Sequence, residues 1–316
     1  IGIETVIEGQ IVEEGNVAIG AKVFSDIIRK LPSEQVEISV NENYQLFIKC
    51  GKAKFNIAAK PTDEFPYLPQ IVKEKHVEIS QFTLKDIIRQ TVFSISDNEN
   101  TKVMTGELFE ITANKLKVVS LDGHRISIRN VELNNSYDNI SVIIPGKTLI
   151  EINKILNGGV DDIVKIYFTD KHILFEFEST VVLSRLIEGE YYKIDKMLSS
   201  DYETKITVNK KEMLDSIDRT TLLMKEAEKK PVIIDIKDNS MGLAMNSSIG
   251  SMDEEIDAVK EGKDILIGFN PRFLIDALRV IDDEEITLYM INPKAPCFIR
   301  DKDESYIYLI LPVNFN

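Results

Sequence analysis

The chain of 316 residues has no tryptophan, two cysteines and three histidines. Cys50 and Cys297 stand alone, with neither metal-ligand spacing nor a disulfide framework, which favours a reducing, cytoplasmic setting. No GxxxxGK[ST] phosphate loop, no HExxH and no paired Cys or His ligands occur, so neither a metal nor another cofactor is expected. No apolar run approaches the roughly 18 residues of a membrane span, and no signal-peptide pattern opens the chain. Positive charge is scarce: 38 Lys and Arg against 52 Asp and Glu give a formal charge of −14. That balance argues against a protein that coats nucleic acid, while leaving individual faces open.

A composition of 43% hydrophobic and 28% charged residues is that of a soluble globular protein with room for two or three domains. Self-similarity organises it. Five segments align without gaps: "IGAKVFSDIIRKL" from Ile19, "ISQFTLKDIIRQT" from Ile79, "IPGKTLIEINKIL" from Ile144, "VNKKEMLDSIDRT" from Val208 and "FNPRFLIDALRVI" from Phe269. Their starts lie 60, 65, 64 and 61 residues apart. Each reads as a strand end, a polar or Gly/Pro turn and an amphipathic helix of about ten residues. Alternating segments follow each helix, such as "LFEITAN", "KLKVVSL", "HRISIRNVEL" and "NISVIIP" after the second, and predict antiparallel meanders. The fold class is therefore α+β, built from a repeated helix-plus-antiparallel-sheet unit of roughly 62 residues, two units per domain. Breaks at "LPQIVKEKH" and "KMLSSDYE" divide the chain into 1–77, 78–203 and 204–316. The first segment holds one unit and a remnant, so the pattern predicts a further helix upstream of Ile1 and an incomplete first domain.

Counting the first residue of each repeat as zero, offsets three and ten fall on one helical stripe. They hold Lys22 and Arg29, Phe82 and Arg89, Lys147 and Lys154, Lys211 and Asp218, and Arg272 and Arg279. Eight of these ten positions are basic in an acidic chain. Pairing within each helix is one explanation, because offset seven is acidic in every copy: Asp26, Asp86, Glu151, Asp215 and Asp276. The other is a basic surface that tracks a polyanion.

"EFPYLP" (64–69), "LDGHRISI" (121–128), "VNKKEMLDSIDR" (208–219) and "YIYLILPV" (306–313), in this order and spacing, resemble the bacterial beta sliding clamp family over the whole chain. The resemblance implies the DNA clamp fold: three similar domains per subunit and a head-to-tail homodimeric ring whose helices face double-stranded DNA. By that comparison roughly 50 residues would precede Ile1. It implies that Lys22, Arg29, Arg89, Lys147, Lys154, Lys211, Arg272 and Arg279 face the DNA without sequence preference. Ile27 and Phe55 would meet Leu222 and Leu223 across the subunit interface. It also implies a non-catalytic processivity factor that tethers the polymerase catalytic subunit, clamp loader and repair proteins by short peptide motifs. Matched residue by residue, the peptide cleft comprises Met104, Leu121, Gly123, His124, Arg125, Ile126, Tyr192, Lys196, Met197, Leu309, Ile310, Leu311, Pro312 and Val313, with Arg125 fixing the peptide's polar groups. Leu121, Tyr192 and Asn314 depart from the family's usual small hydroxyl residue, proline and arginine.

The Asp122–Gly123 pair reads on its own as a hairpin turn. His124 is then a partly exposed strand residue, a cleft rim, or part of an acid–base cluster with Asp122 and Arg125. Two other function classes stand beside the clamp. One is a non-replicative peptide-binding scaffold, which would have no use for the basic stripe. The other is an enzyme, which would need further titratable partners in a cleft.

Overall fold

The computed structural model describes residues 1–32, 35–63, 65–198, 201–224, 230–301 and 303–315. Glu64, Ser199, Ser200 and Asn316, which fall in the sequence landmarks and the tail, lie outside them. All five repeat helices form where the periodicity puts them: α1 Ala21–Lys30, α2 Gln81–Thr91, α3 Gly146–Ile155, α4 Lys210–Thr221 and α5 Pro271–Val280. Polar turn residues start three of them. Ser80, Asn209 and Asn270 accept backbone N–H bonds from Thr83, Glu212 and Arg272, satisfying donors that a helix N-terminus leaves open. Gly20 and Pro145 precede α1 and α3 without a side-chain cap.

The described chain divides into two compact units, Val6–Gln70 and Ile1–Thr5 with Ile71–Asn316. In the smaller unit a four-stranded antiparallel sheet runs in the order Ala18–Ile19, Ala53–Lys60, Gln45–Cys50, Val36–Val40. Its buried side chains are the inward residues of one strand, Leu46, Ile48 and Cys50. None of the ten residues of α1 is buried.

The larger unit holds a five-stranded sheet ordered Gly2–Thr5, Thr180–Arg185, His172–Phe177, Ile163–Phe168, His76–Ser80. At the start of the chain Gly2–Thr5 is a strand, and it pairs with Thr180–Arg185, not with the rest of 1–77. A ten-stranded sheet runs Ile265–Phe269, Val232–Lys237, Ser240–Ser247, Gly250–Gly262, Thr204–Asn209, Glu285–Met290, Cys297–Arg300, Tyr306–Ile310, Arg125–Pro145, Gly106–Leu121. The four short strands expected after α2 are instead two long ones, 16 and 21 residues in length. Their register shifts between Ile111 and Lys115, where Ala113 takes a positive φ of 54°. An irregularity lets one strand bend without breaking its ladder.

Segments 78–203 and 204–316 each carry their own apolar core. In the first, α2 and α3 pack through Leu84, Ile87, Ile88, Leu149 and Ile152. In the second, α4 and α5 contribute Met213, Ile217, Leu274 and Leu278. A third cluster draws on both, with Leu108, Val119, Leu121, Ile126, Ile128, Ile143, Ile187 and Ile194 meeting Phe298, Ile307 and Leu309. The strand pairing of Tyr306–Ile310 with Arg125–Arg129 joins the two cores at this seam.

Candidate functional site

The turn between the two long strands sits at this seam. Gly123 has φ +89°, the left-handed conformation that glycine adopts without strain. The Asp122 carboxylate accepts the backbone N–H groups of His124 (2.9 Å) and Arg125 (3.1 Å), closing the turn as an Asx motif. Its second oxygen accepts from Arg125 Nε at 2.9 Å. Arg125 Nη1 reaches Asp276 of α5 (2.7 Å), and Nη2 donates to the Phe93 carbonyl (2.6 Å). The guanidinium lies over the Phe273 ring at 4.2 Å and the Phe93 ring at 5.4 Å. At 8% exposure Arg125 is not a rim residue. Its donors bind the turn to α5 and to the Phe93 carbonyl across the seam.

His124 is exposed and stacks on Phe273, ring centroids 6.1 Å apart, while its carbonyl accepts the Leu311 N–H at 2.8 Å. No second imidazole or thiol enters this network, and Asp122 and Arg125 are consumed by each other and by Asp276. The acid–base reading of the turn therefore lacks a free partner for His124.

Of the residues assigned to the cleft, Met104, Leu121, Ile126 and Leu309 come together in the seam cluster, the last three buried. Tyr191, Ile194 and Leu198 enter the same cluster, which places their exposed loop neighbours Tyr192, Lys196 and Met197 beside it. Met197 is 52% exposed, a flexible apolar side chain open to a ligand. Leu311 and Val313 are exposed and Pro312 half-buried. Strand alternation turns the Ile310 side chain away from the seam cluster and into the core of 204–316. Phe273 was missed: it stacks on both His124 and Arg125. Its sequence signal was available, since the fifth repeat alone has an aromatic at offset four.

The basic stripe divides by environment. Lys22 and Arg29 of α1, Lys147 of α3, Lys211 of α4 and Arg272 of α5 are exposed and make no ion pair among the described residues. Lys154 pairs with Glu151 at 2.7 Å, the within-helix pairing that offset seven allows. Arg279 approaches Asp218 of the neighbouring α4 at 3.6 Å. Arg89 is the exception: it binds Asp86 (Nε, 3.2 Å), Asp282 (2.7 Å) and the Val280 carbonyl (2.9 Å), tying α2 to the end of α5. That tertiary role replaces the solvent-facing one expected of it. Asp276, unlike Asp86 and Glu151, does not pair within its helix, because Arg125 takes it.

Of the expected interface residues, Leu222 is 77% exposed and Phe55 is also exposed. Ile27 is half-buried and Leu223 packs partly against the core of 204–316. Among the described residues no group of His, Cys, Asp and Glu could hold a metal, and no helix is long and apolar enough to cross a membrane.

Comparison with known proteins covers almost the whole chain. Family models of the DNA polymerase III beta subunit match in three parts: the N-terminal domain over residues 1–69, the central domain over 78–193 and the C-terminal domain over 195–314. The beta sliding clamp of Staphylococcus aureus is 35% identical over 304 residues, 95% of this chain and 80% of its own length. Among solved structures, a chain from Eubacterium rectale described as a DNA polymerase III beta subunit is 61% identical, with a TM-score of 0.91 over 99% of this chain and 86% of that one. The sliding clamp of Bacillus subtilis is 35% identical with the same TM-score and coverage. The chain belongs to the family of DNA polymerase III beta subunits, the beta sliding clamps.

Proposed function

We propose that this chain works as a DNA sliding clamp whose seam between 78–203 and 204–316 receives partner peptides. The observation that carries the reading is the seam itself. A turn locked by Asp122, Arg125 and Asp276 presents the exposed His124 next to Leu311, over a cluster that contains Met104, Leu121, Ile126 and Leu309. A rigid turn beside pliable apolar side chains suits a short extended peptide with a few large anchors. The partners are the polymerase catalytic subunit, the clamp loader and repair proteins. The protein itself does no chemistry and works in the cytoplasm without a cofactor.

Duplex DNA is held without sequence preference by Lys22, Arg29, Lys147, Lys154, Lys211, Arg272 and Arg279, in a head-to-tail homodimeric ring. Ile27 and Phe55 of one copy would meet Leu222 and Leu223 of another, apolar surface of the kind that fills interface cores. Domain boundaries near 77/78 and 203/204 are part of this reading, supported by the separate cores of 78–203 and 204–316.

A titration tests the cleft. A peptide with one glutamine and two or three large apolar residues should bind, and Leu311→Ala should weaken it roughly tenfold by removing buried aliphatic area. Lys196→Ala should change it less than about threefold, as a rim charge. Equal affinities for wild type and both variants would place the site elsewhere. For DNA, alanine at Lys22, Lys147, Lys211 and Arg272 should flatten the salt dependence of loading by about one unit of slope for each phosphate no longer neutralised. Unchanged loading would reject the stripe.

A further inference from the structure

The five described residues after the last strand are held at two points. Leu311 donates its N–H to the His124 carbonyl and Val313 donates to the Gly268 carbonyl, both at 2.8 Å. The Leu311 and Val313 side chains remain exposed, yet Phe315 beyond them is half-buried. Gly268 accounts for this. In the strand Ile265–Phe269 the buried Ile265, Ile267 and Phe269 alternate with outward positions 266 and 268, and Leu266 is exposed while Gly268 is covered. A Cβ at Gly268 would lie 2.6 Å from a ring carbon of Phe315 and 3.0 Å from the Val313 carbonyl oxygen. Gly268 is absent from the positive-φ glycines, so what the missing side chain supplies here is close approach of the tail, not a turn.

Ile265–Phe269 is also the outermost strand at its end of the ten-stranded sheet. Its far edge is where an extended chain could add, and the tail takes the Gly268 carbonyl on that edge.

We infer that Leu311–Phe315 is a strap and that Phe315, seated over Gly268, is its latch. Docked, the strap puts the chain's own aromatic ring where a partner peptide leaving the cleft past Leu311 would place a large apolar residue. A peptide that continues along Ile265–Phe269 must lift Phe315 first. Beyond the Leu311 bond the hold is light, one backbone hydrogen bond and a half-buried ring, so a peptide with an apolar end can displace it. This inference rests on the peptide-cleft reading above, and its test separates the two.

Amide exchange of Val313 in the full chain reads the strap directly, with the Leu311 amide as internal control. Phe315→Ala and Gly268→Ala should each speed Val313 exchange roughly tenfold while Leu311 stays protected, and Phe315→Leu should behave as wild type. The glutamine-bearing peptide should bind Phe315→Ala roughly three- to tenfold more tightly than wild type, because half a ring no longer competes. Val313 exchanging as fast in wild type as in Phe315→Ala would overturn the strap, whatever the peptide does. A protected Val313 with equal peptide affinity for wild type and Phe315→Ala would overturn its gating role. A protected Val313 with no peptide binding to any variant would overturn the cleft, and with it the latch as a gate.

Discussion

Helices α1 and α2 contain the same tetrapeptide, Asp-Ile-Ile-Arg, at 26–29 and 86–89, and the fold uses it in opposite ways. In α2, Ile87 and Ile88 are wholly buried between the strands and α3. Arg89 is drawn into bonds with Asp86, Asp282 and the end of α5. In α1, Ile27 is half-buried, Ile28 is exposed, and Arg29 is exposed with no ion pair among the described residues. The local code is identical, so the difference comes from what each helix packs against. Helix α2 shares its core with α3, whereas α1 is the one described helix of its compact unit. Amphipathic periodicity says which side of a helix wants cover. It does not say how much cover it gets.

Substitutions in the shared tetrapeptide should separate the two helices most widely at isoleucine. Ile87→Ala should cost about 2–5 kcal/mol of unfolding free energy, through reduced burial and the cavity left behind. Ile28→Ala should cost less than about 1 kcal/mol, since water already reaches that side chain. Urea unfolding of the two variants measures both, and equal losses would break the comparison.

The C-terminal turn of α2 offers a second contrast, one with a pH signature. Thr91 Oγ1 lies 2.8 Å from the Ile87 carbonyl and 3.0 Å from Oε2 of the fully buried Glu107. One hydroxyl proton is divided between these two acceptors, which leaves a charged Glu107 carboxylate short of donors. Burial, partly offset by the Thr91 hydrogen bond, pushes that carboxyl up to about 8. The folded state then keeps a proton that the unfolded chain has released, and stability falls as pH rises from the ordinary carboxylate range to about 8. Between about pH 5 and pH 8.5 wild type should lose on the order of 3 kcal/mol relative to Glu107→Gln, read from urea midpoints. Parallel pH profiles would show that Glu107 is already charged in the fold.

The arginines should give the smallest separation. Arg89→Ala removes two bonds from α2 to the end of α5 and one ion pair within α2, and should destabilise by about 1–2 kcal/mol. Arg29→Ala should fall within about 0.5 kcal/mol, as for an exposed unpaired side chain. In DNA loading the order should reverse, with Arg29→Ala affecting the salt dependence and Arg89→Ala leaving it unchanged.

The five helices, their starts and the hairpin at Asp122–Gly123 were legible in the sequence, because capping residues, a 3.6-residue apolar period and a glycine at positive φ are local signals. Two long strands were misjudged as four, because a register shift at 111–115 bends a strand without a breaker that marks its end. At the site, the turn and the tail strand were legible as motifs. The tie that Arg125 makes was not legible, because its partners, Asp276 and the Phe93 carbonyl, lie 151 and 32 positions away. Alternation along the tail strand separates Leu309, in the seam cluster, from Ile310, in the core of 204–316. Phe315 and Gly268 carried no local signal at all, since neither a lone aromatic near the chain end nor a strand glycine means anything until they are stacked.

By itself the sequence determined a repeated helix-plus-sheet unit, an acidic chain with a biased basic stripe, and a polar turn between two apolar strands. These depend on neighbours within a few residues or on period, which the chain spells out directly. Only the tertiary structure decided which arginine is a ligand-facing charge and which a tie between helices. It also decided which isoleucine is core and which carboxyl keeps its proton. Burial and electrostatic partnership depend on groups brought together from distant repeats, and the same four letters carry either outcome.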